Sequence, residues 1–255
     1  MQRLLSILHL LRRAVESVGD IFLLFFETLV WMFRPPYRVR LFVEALSFIG
    51  VGSLFIVCLT GTFTGMVFAL QSYKAFRLFN AETLVGSTVA LALTRELAPV
   101  LTSLMVTGRV GSAIATELGT MKVTEQIDAL NTMAVNPLQY LVVPRMLAAL
   151  IMVPILCMYF NLVGMVGAYL VAVKFVGVDS GLFVAKVMKY VRPSDITSGL
   201  IKAAVFGVTI AVVGCYKGIN ASGGAAGVGV ATTQSVVLSS VLILVQDYFL
   251  TVLMF

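Results

Sequence analysis

Apolar residues in this chain gather into five long runs, and that grouping constrains the fold more than any other feature. Hydrophobic residues make up 60% of the 255 positions and charged residues only 12%. A helix needs about 20 apolar residues to cross roughly 30 Å of hydrocarbon. We therefore predict an all-α integral membrane protein whose transmembrane helices occupy residues 46–70, 84–106, 141–173, 196–215 and 235–255.

The segment before the first run has a different character. Residues 3–33 mix Leu, Ile and Phe with charges at helical spacing, and Trp31 lies near their end, where an indole favours the headgroup level. Pro35 and Pro36 then interrupt the helix, because proline has no backbone N–H to donate. We predict an interfacial amphipathic helix and linker over residues 1–45 and a transmembrane domain over 46–255. Charges within the first segment argue against a cleavable signal peptide (Arg12, Arg13, Glu16, Asp20, Glu27).

Basic residues are distributed unevenly between the two sides of the predicted bundle. With the N-terminus inside, ten Lys and Arg lie in cytoplasmic segments (Arg3, Arg12, Arg13, Arg34, Arg38, Arg40, Arg109, Lys122, Arg145, Lys217). Six lie outside (Lys74, Arg77, Lys174, Lys186, Lys189, Arg192). Since cytoplasmic loops carry the excess of Lys and Arg, this favours a cytoplasmic N-terminus. The N-terminal arginines alternate with Leu, Phe and Trp, which disfavours nucleic-acid binding.

The residue inventory excludes the common enzyme classes. The single histidine, His9, permits neither a zinc-protease motif nor a Ser-His pair within the membrane. The glycine-rich run over residues 223–229 lacks the lysine of a phosphate-binding loop. Cys58, Cys157 and Cys215 occur singly in apolar runs, so we interpret them as packing residues. We expect no cofactor or metal on this chain, and any ATP must bind to another subunit.

Two short patterns suggest contacts. Gly61 and Gly65 have the spacing that lets two membrane helices approach closely, although glycines that face lipid would look the same. Between the second and third runs, Ile127, Leu130 and Ala134 recur with Val123 at helical spacing, whereas Glu125 and Asp128 lie elsewhere around the turn. This second pattern predicts either a short amphipathic helix that docks on a partner or a solvated loop.

Residues 92–130 (ALTRELAPVLTSLMVTGRVGSAIATELGTMKVTEQIDAL) carry a specific resemblance. They resemble the MlaE (YrbE) family of ABC-transporter permeases. So do Asn136-Pro137-Leu138, Val142-Val143-Pro144-Arg145, and residues 227–240 (GVGVATTQSVVLSS) with the later Asp247. The resemblance covers nearly the whole chain. Gln234 is a departure, because some members have a basic residue in that loop.

The resemblance implies a permease of a phospholipid transporter in the bacterial inner membrane. It implies a homodimer, a cytoplasmic ABC ATPase that binds ATP and Mg, a STAS-domain subunit and a periplasmic MCE-domain protein. By the same resemblance, residues 117–133 form a cytoplasmic coupling helix within a coupling segment of about 111–134. The ATPase would then contact Glu117, Lys122, Glu125 and Asp128.

Charged residues inside the predicted spans are the candidate lipid path. They are Arg95 and Glu96, expected near mid-membrane, and Lys202 and Asp247, nearer the outer ends of their spans. Each costs roughly 2.5 kcal/mol or more in hydrocarbon, so such residues are functional candidates. Adjacent helical residues point about 100° apart, so Arg95 and Glu96 cannot both face one partner.

Three interpretations of these charges remain open. A guanidinium suits phosphate geometry, so the residues could line a path for phospholipid headgroups. They could instead form a structural network, for example between Lys202 and Asp247. As an alternative function, an ion-coupled secondary transporter would use all four as a relay, but we find no inverted repeat to support it.

Overall fold

The computed structural model describes residues 19–254, and helices form all the regular structure in that range. Five helices are long and apolar enough to cross a membrane, which confirms the predicted all-α membrane fold. The described helices are α1 (19–32), α2 (Val39–Arg77), α3 (Glu82–Val123), α4 (Gln126–Thr132), α5 (Leu138–Phe175), α6 (Ser180–Tyr190), α7 (Pro193–Ile219) and α8 (Gly224–Met254).

Helix α3 extends well past the predicted end of the second span. We expected residues 108–137 to be polar connecting structure, but α3 runs unbroken to Val123. Ile114, Ala115 and Leu118 are buried on one face, and the hydroxyls of Thr116 and Thr120 bond to carbonyls one turn back. The polar residues therefore lie on the exposed face of a helix. The single coupling helix expected over residues 117–133 is instead the end of α3, a turn at residues 124–125 and α4.

Two more boundaries differ from the prediction. Residues 174–193 were expected to be a loop, yet they contain α6, whose first turn is capped by Asp179 accepting from the Leu182 amide at 2.8 Å. Its Phe183 is buried and packs edge-on against Tyr169. Helix α8 begins at Gly224, eleven residues before the expected start of the fifth span. Local capping and tertiary packing, rather than mean hydropathy, set these ends.

The chain order places the helix ends on two sides of the bundle. Helices α2, α5 and α8 begin on the side that carries α4, which we call the α4 side. Helices α3 and α7 run the other way and begin on the side that carries α6, which we call the α6 side. The α8 helix therefore ends on the α6 side.

Helices α2 and α5 form the most extensive helix pair. Buried α2 residues recur every four positions at Ser53, Val57, Gly61, Gly65 and Ala69. A Cβ atom at Gly65 would overlap the backbone of Gly164 in α5, so only glycine permits this approach. One at Gly61 would crowd Phe160 and Val163 of the same helix. The glycines therefore pack against α5 of the same chain rather than facing lipid.

Helix α1 lies across the α4 side of the bundle. Near its start, the hydroxyl of Tyr216, close to the end of α7, donates to Asp20 at 3.2 Å. Just beyond its end, the Gln139 amide in the first turn of α5 donates to the Arg34 carbonyl at 2.6 Å. Both contacts lie on the α4 side, so α1 runs across that end of the bundle. Residues 3–18 of the predicted interfacial helix, including His9, lie outside the described residues.

Candidate functional site: a charge cluster between three membrane helices

Helix α3 widens into a π-turn over Leu93–Leu97, the turn that contains Arg95 and Glu96. Such turns interrupt the regular hydrogen-bond ladder and often occur at functional sites. Here the two adjacent side chains contact different residues of the same helix, α7: Arg95 meets an acceptor and Glu96 meets a donor. Arg95 contacts Asp195, and Glu96 contacts Lys202, two helical turns further on.

Lys202 is the centre of the cluster and is completely buried. Its ammonium lies 2.8 Å from Glu96 Oε2, 3.1 Å from Asp247 Oδ1 and 2.7 Å from Thr251 Oγ1. The Arg95 carbonyl lies 3.2 Å away. An ammonium has three protons to donate, so these four acceptors more than saturate it. One side chain thus connects α3, α7 and α8.

A second ion pair extends the cluster toward the α6 side. The Arg95 guanidinium lies 2.7 Å from Asp195 Oδ1, and the other carboxylate oxygen of Asp195 accepts from the Arg192 amide at 2.8 Å. Asp195 is almost fully buried and belongs to the first turn of α7. The cluster therefore lies nearer the α6 side than the mid-membrane position expected for Arg95 and Glu96.

Close backbone packing holds α7 against α3 at this point. A Cβ atom at Gly199 would overlap the carbonyl oxygen of Thr94, the residue before Arg95. Glycine at this position therefore allows the short ion pairs on either side of it. The Thr94 hydroxyl bonds to the Ala90 carbonyl at 2.9 Å, which occupies its only donor within its own helix.

The charge cluster, meaning Arg95, Glu96, Asp195, Lys202, Asp247 and Thr251, brings together all four predicted lipid-path residues. Formally it holds two cationic and three anionic side chains. Lys202 and Asp195 are buried, whereas the side chains of Arg95 and Glu96 are 37% and 38% exposed. The cluster is thus an ionic network with one accessible edge, formed by Arg95 and Glu96. A structural role depends on the buried contacts, whereas a lipid path depends on the accessible edge.

Sequence reasoning missed Asp195 and Thr251. Asp195 precedes by one residue the predicted start of the fourth span at residue 196, so it was counted as part of the loop. Its position three residues after Arg192 at a helix start is a signal for a capping carboxylate. Thr251 lies one turn after Asp247 on the same face of α8, and its hydroxyl donates to the Asp247 carbonyl at 2.7 Å.

The predicted coupling residues lie at the opposite end of α3. Lys122 forms an ion pair with Asp128 at 3.0 Å, which connects α3 to α4 across the intervening turn. Glu117 lies 2.8 Å from the guanidinium of Arg145 in α5. Glu125 precedes α4 in a left-handed backbone conformation with φ of 60° and is exposed. The structure therefore brings Glu117, Lys122 and Asp128 into internal ion pairs and leaves Glu125 at the tip of the turn.

The remaining predicted residues have local roles. The Lys217 ammonium donates to the Gln234 side chain at 3.2 Å. Gln234, where some family members have a basic residue, therefore joins α8 to α7. Cys157 and Cys215 are buried and Cys58 is half-buried, with no disulfide among them. Within residues 19–254, no group of three or more His, Cys, Asp and Glu side chains has the geometry of a metal site.

Comparison with known proteins decides the family. The sequence pattern described as Permease MlaE matches residues 42–253, most of the chain. The chain belongs to the MlaE permease family. The predicted resemblance is therefore confirmed, as is the prediction that the chain is a permease and not an enzyme.

The matches to individual relatives extend over most of this chain and most of each relative. A protein of Rickettsia felis, named a probable ABC transporter permease, is 46% identical over 94% of this chain and 93% of its own. The permease MlaE of the intermembrane phospholipid transport system of Haemophilus influenzae is 43% identical over 87% of this chain and 86% of its own. A probable ABC transporter permease of Synechocystis is also 43% identical, over 84% and 81%.

Proposed function

We propose that this chain is the membrane subunit of an ATP-driven phospholipid transporter, with the lipid path in a cavity between two copies. Family membership and the name of the Haemophilus relative support the substrate class. We further propose a location in the bacterial inner membrane with the α4 side in the cytoplasm. The outer face of α8 exposes Val237, Val241 and Leu244, an apolar surface that the second copy would cover where lipid does not.

The observation that carries this proposal is the continuity of α3. One helix holds Glu96 in the charge cluster and Lys122 beside the α4 turn, 26 residues apart, or roughly 40 Å at the rise of an α-helix. The buried Ile127 and the exposed Lys122–Asp128 ion pair connect α4 to the end of that helix. A partner that moves α4 would therefore displace the end of α3. That movement would reach the cluster along the helix, through a second π-turn at Thr107–Gly111.

The cluster supports a two-state mechanism for lipid passage. Arg95 and Glu96 are bound to α7, and Lys202 of α7 also binds Asp247 of α8. A tilt of α3 relative to α7 would separate Arg95 from Asp195 and turn its guanidinium toward the accessible edge. That group can then pair with a lipid phosphate in two parallel hydrogen bonds. Closure would restore Asp195 as its partner and release the headgroup.

The partner subunits complete the proposal. The ATPase would bind ATP and Mg and dock on the segment from Glu117 to Met133, where Glu125 and Met133 are exposed. A STAS-domain subunit would share the cytoplasmic side, and a periplasmic MCE-domain protein would receive or supply lipid at the α6 side. No bound cofactor is needed on this chain, because its side chains only bind and orient the substrate.

The test is Glu125→Lys in the permease co-expressed with its neighbouring ATPase. We expect the ATPase to dissociate during purification, because the reversed charge lies at the centre of the proposed docking turn and in no internal ion pair of the described residues. Glu27→Lys is the matched control, since it makes the same change at an exposed residue of α1 on the same side.

The control should keep a full complement of ATPase. Equal retention in both variants would contradict docking at α4. Lipid transfer that continues without nucleotide but stops when the ion gradient is collapsed would replace this proposal with the ion-coupled transporter.

A further inference from the structure

The junction between α1 and α2 forms a small cavity away from the charge cluster. It has a volume of about 190 Å³, and its walls include Trp31, Arg34, Tyr37, Arg38, Phe42 and Gln139. Most of the wall is aromatic or aliphatic, and the two arginines are its cationic groups. We call it the elbow cavity. Helix α1 lies across the bundle end and α2 enters the bundle, so the elbow cavity lies where a membrane surface meets hydrocarbon.

Both arginines are held by aromatic rings rather than by carboxylates. The guanidinium carbon of Arg34 lies 5.0 Å from the Trp31 ring centroid, and that of Arg38 lies 4.4 Å from the Tyr140 centroid. Among residues 19–254, neither arginine forms an ion pair. A guanidinium over the face of a ring can still donate from its N–H groups to an anion beside the ring. The two side chains therefore present donors that no carboxylate of the described chain neutralises.

Arg40, two residues further on, shows the contrasting arrangement. It pairs with Glu44 one turn later at 3.0 Å and is almost fully exposed. The local sequence thus contains a neutralised arginine outside the cavity and two unneutralised ones in its wall. Exposed Phe33 and Tyr37 surround the same junction, and such side chains favour a lipid interface over water.

We infer that the elbow cavity binds an anionic phospholipid, with the phosphate between Arg34 and Arg38 and the start of an acyl chain along Trp31 and Phe42. Charge complementarity selects the headgroup, since each basic residue near a membrane surface strengthens anionic-lipid binding roughly fivefold. The apolar wall selects a lipid over a soluble phosphate. This site is separate from the proposed transport path, and it requires only that the elbow lie at a membrane surface.

Trp31 is the only tryptophan in the chain, which provides a direct measurement. The purified permease in neutral detergent is titrated with phosphatidylglycerol or phosphatidylcholine, each with brominated acyl chains that quench indole fluorescence. We expect phosphatidylglycerol to quench Trp31 at a mole fraction at least tenfold lower. Arg34→Gln and Arg38→Gln should each reduce that preference roughly fivefold, and the double variant should abolish it.

Arg40→Gln is the matched control and should retain the full preference. Should the double variant fail to fold, the two single variants still carry the test. Equal quenching by both lipids in the unaltered chain would overturn the inference, as would a preference that survives both single substitutions. Displacement of the brominated lipid by millimolar glycerol phosphate would also overturn it, because the site would then recognise a soluble anion.

Discussion

Lys202 and Glu96 form an ion pair with a 2.8 Å separation between ammonium nitrogen and carboxylate oxygen. The same ammonium lies 3.1 Å from Asp247, so a single buried cation joins three membrane-crossing helices. The two carboxylates are partly exposed while the cation is not. Lys202 therefore has the character of a structural centre, and any contact with lipid falls to the residues around it.

Replacing Lys202 with methionine should destabilise the permease. Glu96 and Asp247 would then face each other without their shared cation, and breaking a buried pair in this way costs roughly 3–5 kcal/mol. The measurement is thermal unfolding in detergent. The control is the triple variant Lys202→Met/Glu96→Gln/Asp247→Asn, which removes all three charges and should recover most of the loss. A single variant as stable as the unaltered chain would show that the pair contributes little to the fold.

Arg95→Met and Glu96→Gln separate the lipid-path role from the network role. If these residues contact lipid, each variant should yield intact complex with less co-purified phospholipid and slower transport. If they only hold helices together, yield and thermal stability should fall first. Measuring complex yield and phospholipid per complex on the same preparations distinguishes the two. Normal lipid content in a poorly recovered complex would reject the headgroup role.

Asp195→Asn should weaken the ion pair between Arg95 and Asp195 from the α7 side. It removes the charge opposite Arg95 while an amide oxygen can still accept from the Arg192 amide. We therefore expect the first turn of α7 to remain helical. A double-mutant cycle with Arg95→Met, measured by the free energy of unfolding, should give an interaction energy of about 1–3 kcal/mol between the two residues. Strictly additive losses would mean that the 2.7 Å pair has no energetic weight.

Gly65→Leu should prevent close packing of α2 on α5. The new side chain would meet the Gly164 backbone, which cannot move aside like a flexible side chain, and overpacking of this kind costs roughly 1–3 kcal/mol or more. We expect lower yield and thermal stability of the single chain, whatever its oligomeric state. Gly108→Ala is the control, because a Cβ atom there meets nothing within 4 Å. A folded Gly65→Leu chain that only fails to dimerise would contradict the intrachain contact.

Single cysteines at exposed methionines should report the orientation. Met133 follows α4 and Met188 lies in α6, on opposite sides of the bundle, with 64% and 78% of each residue exposed. In intact cells, a membrane-impermeant maleimide should label Met188→Cys but reach Met133→Cys only after permeabilisation. The unaltered chain, whose cysteines are buried or half-buried, gives the background. The opposite labelling pattern would reverse the proposed topology.

The sequence by itself determined the membrane class, the five spans, the family and four members of the charge cluster. These follow from properties that each segment carries alone, namely run length, mean hydropathy, the cost of a charge in hydrocarbon and a long matching motif. The two π-turns in α3, the continuation of that helix to Val123 and the presence of α6 were not predictable from such properties. They depend on which face of each helix finds a partner.

Only the tertiary structure decided the pairings. Asp195 and Arg95 are 100 residues apart in the chain, and nothing local indicates which of the three carboxylates near Arg95 and Lys202 each cation will meet. The spacing of Gly61 and Gly65 predicted that another helix packs closely there. That this helix is α5 depends on Gly164 lying opposite Gly65. Composition and periodicity determine whether each segment enters lipid. Which helices contact each other depends on the shapes and charges of their facing surfaces, and these come together only when the helices pack.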